Sequence, residues 1–482
     1  MTVKMKKSFL LYFYLIIIGF TLTISSCKKP LSFSKSNLSF SQDTIIFDTV
    51  FATIGSVTKR FKIYNNDSKT IKIDQITLLG GSNSNFRINV DGVSGTHFSD
   101  LELASKDSLF IFVEVTIDPN GGLSPMVVED RVQFSTNGTN QFVELVAWGQ
   151  DAYFHYSYIS EGIFDLNEGI WLNDKPHVIY GAAIIDEGKT LEIPGGTDIY
   201  MHKNALLYVY KGTLNITGSL GNEVTIQGDR LESFYDDVAG QYYGIYIVEA
   251  KPCTINYAII KNATTGIHIN GSDPINPSNT YTTTVTNTQI YNSASYGMFL
   301  YNGDADFPEA GKLKAENCVI AKSGVHALIV LGGGDYNINH CDLLGYGQGD
   351  AVASAVGVSN YYNGTGVLRS INEGVITNSV LYGNQDYEFA LDTIGNAALT
   401  LDFKMENNLI KSDDILIDPS IFVGDNYWNE SPVFKDIIGY DYTFWSTSAL
   451  IDRGNILYPR TGGIDLNGIS NSGLPEIGAY EY

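Results

Sequence analysis

Six segments of the chain align on one another at steps near thirty residues, and a period of that size belongs to stacked repeats rather than a single globular core. They are Ile255–Ile260, Val285–Ile290, Ala315–Ile320, Ile338–Leu343, Ile376–Leu381 and Met405–Ile410. Counted between the central residues Tyr257, Asn287, Asn317, His340, Asn378 and Asn407, the steps are 30, 30, 23, 38 and 29. Each centre has an apolar residue two before it and another three after it. The residue just after the centre is Ala258, Thr288, Cys318, Cys341, Ser379 or Asn408, small in every case but the last. Two short strands joined by a tight bend account for this pattern. Asn tolerates the left-handed backbone of such a bend. Side chains alternate along a strand, so the small residue and the apolar residue two further on face inward together. Stacked coils repeat about every 4.8 Å, so like sits on like. Asn287, Asn317, Asn378 and Asn407 are then expected to form a ladder of amides. The i, i+3, i+4, i+7 apolar spacing of a helical repeat is absent.

These units resemble the right-handed parallel β-helix family, the fold of pectate lyases and of many bacterial surface proteins. The resemblance spans roughly residues 185–440. It implies an all-β chain, a right-handed parallel β-helix (solenoid), with no one activity attached, since the family includes lyases, hydrolases, epimerases and adhesins. Coils are expected over residues 189–430, opening with Leu191–Gly196, Asp198–Met201, Leu206–Tyr210, Gly212–Ile216 and Val224–Ile226. The long step between His340 and Asn378 holds Gly347–Asp350 and Tyr361–Gly366. It reads as a loop inserted into one coil, where function often sits.

Residues 1–26 carry Lys4, Lys6 and Lys7, then the apolar run Phe9–Phe20, then Leu22–Ser26 before Cys27. This is the plan of a secretory signal peptide, with an apolar run short of the roughly 20 residues a bilayer needs. Small residues directly before a cysteine resemble the lipobox of bacterial lipoproteins, here of Bacteroidetes type. That resemblance implies cleavage before Cys27, a diacylglycerol thioether on its sulfur and an acylated new N-terminus (palmitate among the chains). The expected partner is the outer membrane, on its periplasmic or cell-surface face. Lys28-Lys29-Pro30 follow, without an acidic export run, which points to the periplasmic side or to an export signal of another kind.

Removal of residues 1–26 leaves 27 basic and 53 acidic residues, a charge of −26. Such a chain is a poor partner for nucleic acid, whose affinity rests on neutralised phosphates. The charge favours solubility and admits calcium. The seven histidines show no ligand spacing and no metal site is read from them. Cys318 and Cys341 occupy equivalent positions in adjacent coils and should stack, as buried thiols or as a disulfide. Cys253 has no visible mate.

Residues 27–150 differ from the repeats. Short alternating runs at Thr44–Phe47, Arg60–Tyr64, Ile71–Ile73, Phe86–Val90, Ser108–Val115, Val132–Phe134 and Phe142–Val146 are separated by turn signals such as Asn65–Asp67, Gly80-Gly81, Asp118–Gly122 and Asn137-Gly138. Seven short strands predict a β-sandwich preceding the solenoid. Phe61–Asn66, Phe86, Val113–Val115 and Asp118-Pro119 resemble the immunoglobulin-like modules of cilia- and centrosome-associated proteins, which implies a spacer or docking role. Residues 151–188 read as a junction. Residues 431–482, with Ser431–Phe434, Ala449–Gly454, Asp465–Gly468 and Pro475–Tyr482, resemble the closing segment of secreted β-helix proteins. That resemblance implies a cap over the open edge of the last coil. The Asp and Gly residues there are an alternative calcium site.

Two candidate sites emerge. The loop Gly228–Glu232, Tyr235–Asp237 and Gln241–Gly244 gathers ionisable residues. By resemblance to β-helix lyases, Asp229, Asp236 and Asp237 could hold calcium while Arg230 abstracts a proton from an acidic sugar. The plainer alternative is a solvated loop with an Arg–Asp pair. No column of stacked aspartates suggests a hydrolase; Asp342 and Asp350 do not align with acids in neighbouring coils. The second candidate is aromatic: Tyr242, Tyr243, Tyr361 and Tyr362, whose ring faces could stack on sugars, or could simply stack on one another along the coil exterior. Three functions remain open: a non-catalytic envelope lipoprotein binding glycans or envelope proteins, a lyase or hydrolase acting on acidic glycans, and a structural spacer. Binding requires an aromatic strip on one face; catalysis requires converging carboxylates with a basic residue.

Overall fold

The computed structural model divides the chain into two compact units, residues 1–150 and 151–482. It describes residues 32–51, 55–117, 126–157, 169–276, 280–347, 353–413, 418–471 and 473–482. Cys27 with the segment before it, the Asp118–Gly122 turn and Gln348–Asp350 lie outside the described residues. Among the described residues there is no α-helix.

The first unit is a β-sandwich of two five-stranded sheets. One runs Ser39–Phe40, Lys59–Tyr64, Ser108–Val115, Phe86–Val90, Val93–Gly95; the other Thr44–Phe51, Thr139–Gln150, Met126–Thr136, Ile71–Leu78, His97–Leu103. Thr44–Phe51 lies parallel to Thr139–Gln150 and every other pairing is antiparallel. Alternation builds the core: Phe61 and Ile63, Ile111, Val113 and Val115, and Val143, Leu145 and Ala147 point inward. Asn137 and Gly138 take φ of 51° and 77°, which lets a two-residue turn join two long strands.

The second unit is a parallel β-helix. Each coil runs from a first-sheet strand through a left-handed bend into a second sheet, around a corner into a third sheet, and back through a loop. The first sheet has eight parallel strands, from Thr190–Pro194 to Leu401–Glu406. Its inward residues form one file in register: Ile193, Ile216, Ile255, Val285, Ala315, Ile338, Ile376 and Met405. Stacking begins before Lys189. Tyr153–Ser157 pairs in parallel with His177–Gly181, and His177–Ile179 pairs with Ile199–Met201.

All six bend residues have φ between 47° and 57°. The residues that follow them, from Ala258 to Asn408, are buried, as are the apolar residues two further on. The amide file is not continuous. Asn287 donates to Asn256 at 2.9 Å and meets Asn317 at 2.6 Å. His340 interrupts the file; its Nε2 lies 3.0 Å from the Asn378 amide. Asn407 donates instead to the Arg453 carbonyl. Cys253, Cys318 and Cys341 are buried free thiols, and Cys318 and Cys341 donate to the Glu316 and Asn339 carbonyls.

The C-terminal segment corrects the expectation of an end cap. Tyr442, Phe444, Leu450, Leu466, Ile477, Ala479 and Tyr480 pack on Tyr291, Val319, Ala321, Leu344, Val380 and Leu409, which face outward from the second sheet over five successive coils. The segment is therefore a strap along the flank. The reason is that these second-sheet strands are apolar on both faces and need cover from outside as well as inside. Buried polar groups pin it: Arg460 pairs with Glu481 and donates to the Gly478 carbonyl, Thr461 N–H donates to Glu316, and Asn455 N–H donates to Asn378. The last coil is instead covered by Phe422 and Trp428, with Phe422 bridging to Met405 and Trp428 to Ile410.

Candidate functional site: the outer face of the third sheet

The third-sheet strands Leu206–Tyr210, Gly244–Val248, Thr265–Asn270, Tyr296–Tyr301 and His326–Leu331 stack in parallel. Their register places Tyr208, Tyr246, His268, Phe299 and Ile329 in one outward file. Four steps at the strand spacing make the file about 19 Å long, running along the helix axis. Ring centroids lie 5.5 Å apart for Tyr208–Tyr246, 4.3 Å for Tyr246–His268 and 4.6 Å for His268–Phe299. A second outward file places Tyr210 and Tyr301 beside it. Tyr243 and Tyr296 extend the strip on the side where the chain enters these strands. Tyr243 OH lies 2.7 Å from His268 Nδ1, and the Tyr296 ring lies 4.7 Å from that of Phe299.

The central rings stack nearly parallel, at 22° and 15°, so they use their faces on one another and turn edges outward. Tyr208, Tyr243, Tyr296 and Tyr301 are tilted by 35° to 67° from these central rings and break out of that stack, while Tyr208 runs near parallel to Tyr210 and Tyr296 to His326. The strip carries no charge at neutral pH. Burial pulls His268 down to about 3 and pushes Tyr208 and Tyr243 up to about 12. Lys211 and Glu249 beside it pair with each other at 3.5 Å.

A ridge borders the strip where the chain leaves it. The inserted hairpin, Tyr361–Tyr362 paired with Val367–Leu368, sets Tyr362 edge-on to Tyr301 at 5.4 Å. Arg369 at its foot donates to the carbonyls of Asn302, Asp304, Phe307 and Pro308, tying the hairpin to the neighbouring loop. Gly303 is required here, since a Cβ would lie 2.6 Å from the Tyr301 ring and 2.7 Å from that of Tyr362. Tyr361 points elsewhere and donates to Asp392 at 2.6 Å.

Of the tyrosines named from sequence, Tyr243 and Tyr362 join the strip. Tyr242 does not: it is 1% exposed, with its hydroxyl donating to the Ile226 carbonyl, because adjacent residues entering a strand face opposite sides. The loop carboxylates do not converge. Asp229 Oδ2 lies 2.6 Å from His202 Nδ1, and burial raises its pKa against the pull of that histidine. Arg230 pairs with Glu232 at 3.1 Å and lies over the Tyr235 ring. Asp237 accepts from Tyr440, and Asp236 offers its main-chain carbonyl to Asn262. Among the described residues no three His, Cys, Asp or Glu side chains could hold a metal, so the calcium arrangement of Asp229, Asp236 and Asp237 is not formed. His202 was not singled out by sequence. Its ring stacks on Tyr180 at 4.3 Å, and with Asp229 it forms an oriented His–Asp pair.

No family model and no curated protein matches this chain. Solved structures do. A glycoside hydrolase of family 123 from Clostridium perfringens aligns over 25% of this chain and 30% of its own, at 8% identity and a TM-score of 0.18. PapD-like domain 7 of human CEP192 aligns over 27% of this chain and 94% of its own, at 14% identity and 0.17. The catalytic unit of a family 87 α-1,3-glucanase from Streptomyces thermodiastaticus strain HF3-3 aligns over 77% of this chain and 89% of its own, at 10% identity and 0.21.

Proposed function

We propose that this chain is a cell-envelope lipoprotein that binds an extended, neutral glycan along the third sheet of its β-helix. The observation carrying this reading is the uncharged aromatic strip, in register over successive coils. Tyrosine offers an apolar face and a hydroxyl to a sugar ring. Lys211, over the Tyr210 ring, is already shared with Glu249 at 3.5 Å, so a uronate must compete for its counter-charge and the acidic glycans expected by resemblance to lyases are the less suited ligands. Anchoring through Cys27 rests on the lipobox resemblance.

Retardation in gels containing neutral or acidic polysaccharides tests the ligand. A neutral glycan should slow the wild-type chain, and Tyr301→Ala with Tyr362→Ala should lose about tenfold in affinity. Retardation by polyuronates alone counts against it. Cys27→Ser should move the protein from the membrane to the soluble fraction; unchanged partitioning would sink the anchor. A catalytic second reading rests on the His202–Asp229 pair, the oriented-base geometry of acid–base catalysis. It requires product release in the same incubations, abolished by His202→Gln.

A further inference from the structure

On the first sheet, a different face of the β-helix, three coils present a grid of outward side chains. Lys314, Asn337 and Val375 stand in one file, and Glu316, Asn339 and Thr377 in the next. Two tyrosines from irregular segments flank this grid and enclose a cleft of about 200 Å³: Tyr281, from the loop before Thr283–Thr286, and Tyr458, from the strap. Both walls are fixed. Tyr281 OH donates to both oxygens of Glu373, at 2.9 and 2.8 Å, and Asn337 holds the same carboxylate at 2.7 Å. Tyr458 OH donates to Glu406 at 2.7 Å and contacts Lys404, while its carbonyl accepts from Asn339 and Asn378.

The floor is equally set. Thr377 donates to the Asn339 side chain at 3.0 Å. Glu316 takes Thr461 N–H at 2.6 Å and lies 3.9 Å from Lys314, which leaves the ammonium loosely paired with donors to spare. Val375 supplies an apolar spot between polar neighbours. Two aromatic walls, a polar floor with one apolar patch and a spare cationic donor match a pyranose: apolar ring faces, a rim of hydroxyl acceptors. A cleft of this size seats one ring. Because the walls are already locked, little side-chain freedom is lost on binding.

We infer that this cleft is a second carbohydrate site, taking a single pyranose ring, free or at a chain end. It shares no residue with the aromatic strip and stands whether or not the strip binds a polymer.

Saturation-transfer NMR on the purified full-length chain with glucose, galactose, mannose and N-acetylglucosamine tests it. At least one sugar should receive transfer. Its dissociation constant should rise about tenfold in Tyr281→Ala and several-fold in Lys314→Met, which keeps the stem and leaves both walls. Val93→Ala, on an exposed strand of the sandwich and in neither site, should change nothing. Circular dichroism of each variant separates a lost site from a lost fold, and Lys314→Met keeps the test open if Tyr281→Ala misfolds. No transfer to any of the four sugars overturns the inference. So does transfer that survives both cleft variants unchanged, since that sugar would sit elsewhere on the chain.

Discussion

Asp342 shows what one residue stores in this fold. It sits outward on the second sheet between Val319 and Val380, beneath the strap, and accepts the Ala479 N–H at 3.3 Å. Burial pushes its carboxyl up to about 8, although Arg460 and the Ala479 amide pull the other way. The folded chain therefore keeps a proton that the unfolded chain, with an ordinary carboxyl near 3.9, releases. Stability from this group is intact below about pH 4, declines as pH climbs toward 8, and is level above that. Glu388, raised to about 7 by burial, adds to the same fall. Asp342→Asn imitates the protonated acid and keeps the acceptor. Denaturant unfolding from pH 5 to 8 should show a shallower decline and a more stable variant at pH 8. A variant less stable at pH 8, with the slope unchanged, contradicts this reading.

Residues also mark where the sequence was readable. The six bends were, because stacking repeats the same left-handed corner, and only the Asn and His side chains had to differ in partner. Tyr242 was misplaced by treating adjacent tyrosines as one feature, when alternation sends one inward. Of the strip, Tyr243 and Tyr362 were named from sequence but the central file was not, because it lies 11 residues after Tyr257 at His268 and 12 after Asn287 and Asn317 at Phe299 and Ile329, beyond a corner of variable length. The file changes from Tyr208 and Tyr246 through His268 and Phe299 to Ile329, so no single residue repeats for a period search to find.

Among the elements, the strap is the one whose role changed most between sequence and structure. The signal was present: Val319, Val380 and Leu409 make second-sheet strands apolar on both sides, which means cover on both sides. Fully burying each such side chain contributes about 1.5–3 kcal/mol. Truncation before Ser431 exposes that face and also strips Asp342 and Glu316 of their strap partners. The truncated chain should bind a hydrophobic dye, associate, and melt well below the full chain in calorimetry. A monomeric, dye-negative product with an unchanged midpoint would mean that the strap is an ornament rather than part of the core.

At the scale of the whole molecule, parallel stacking fixes a spacing and function is read against it. The β-helix sets equivalent outward residues about 4.8 Å apart. A strip built on that ruler suits a ligand that also repeats along one axis, and its lack of charge sets the ligand's character. The architecture was legible from the repeats and the alternation. The strip's neutrality was not, since it depends on burial that lowers His268 and on Lys211 being paired with Glu249. Titration calorimetry with neutral oligosaccharides of increasing length measures the central claim directly. Affinity should climb with each added sugar until the chain spans about 19 Å and then level off, with Tyr301→Ala lowering the plateau. Affinity independent of length, or binding confined to uronate oligomers, would contradict it.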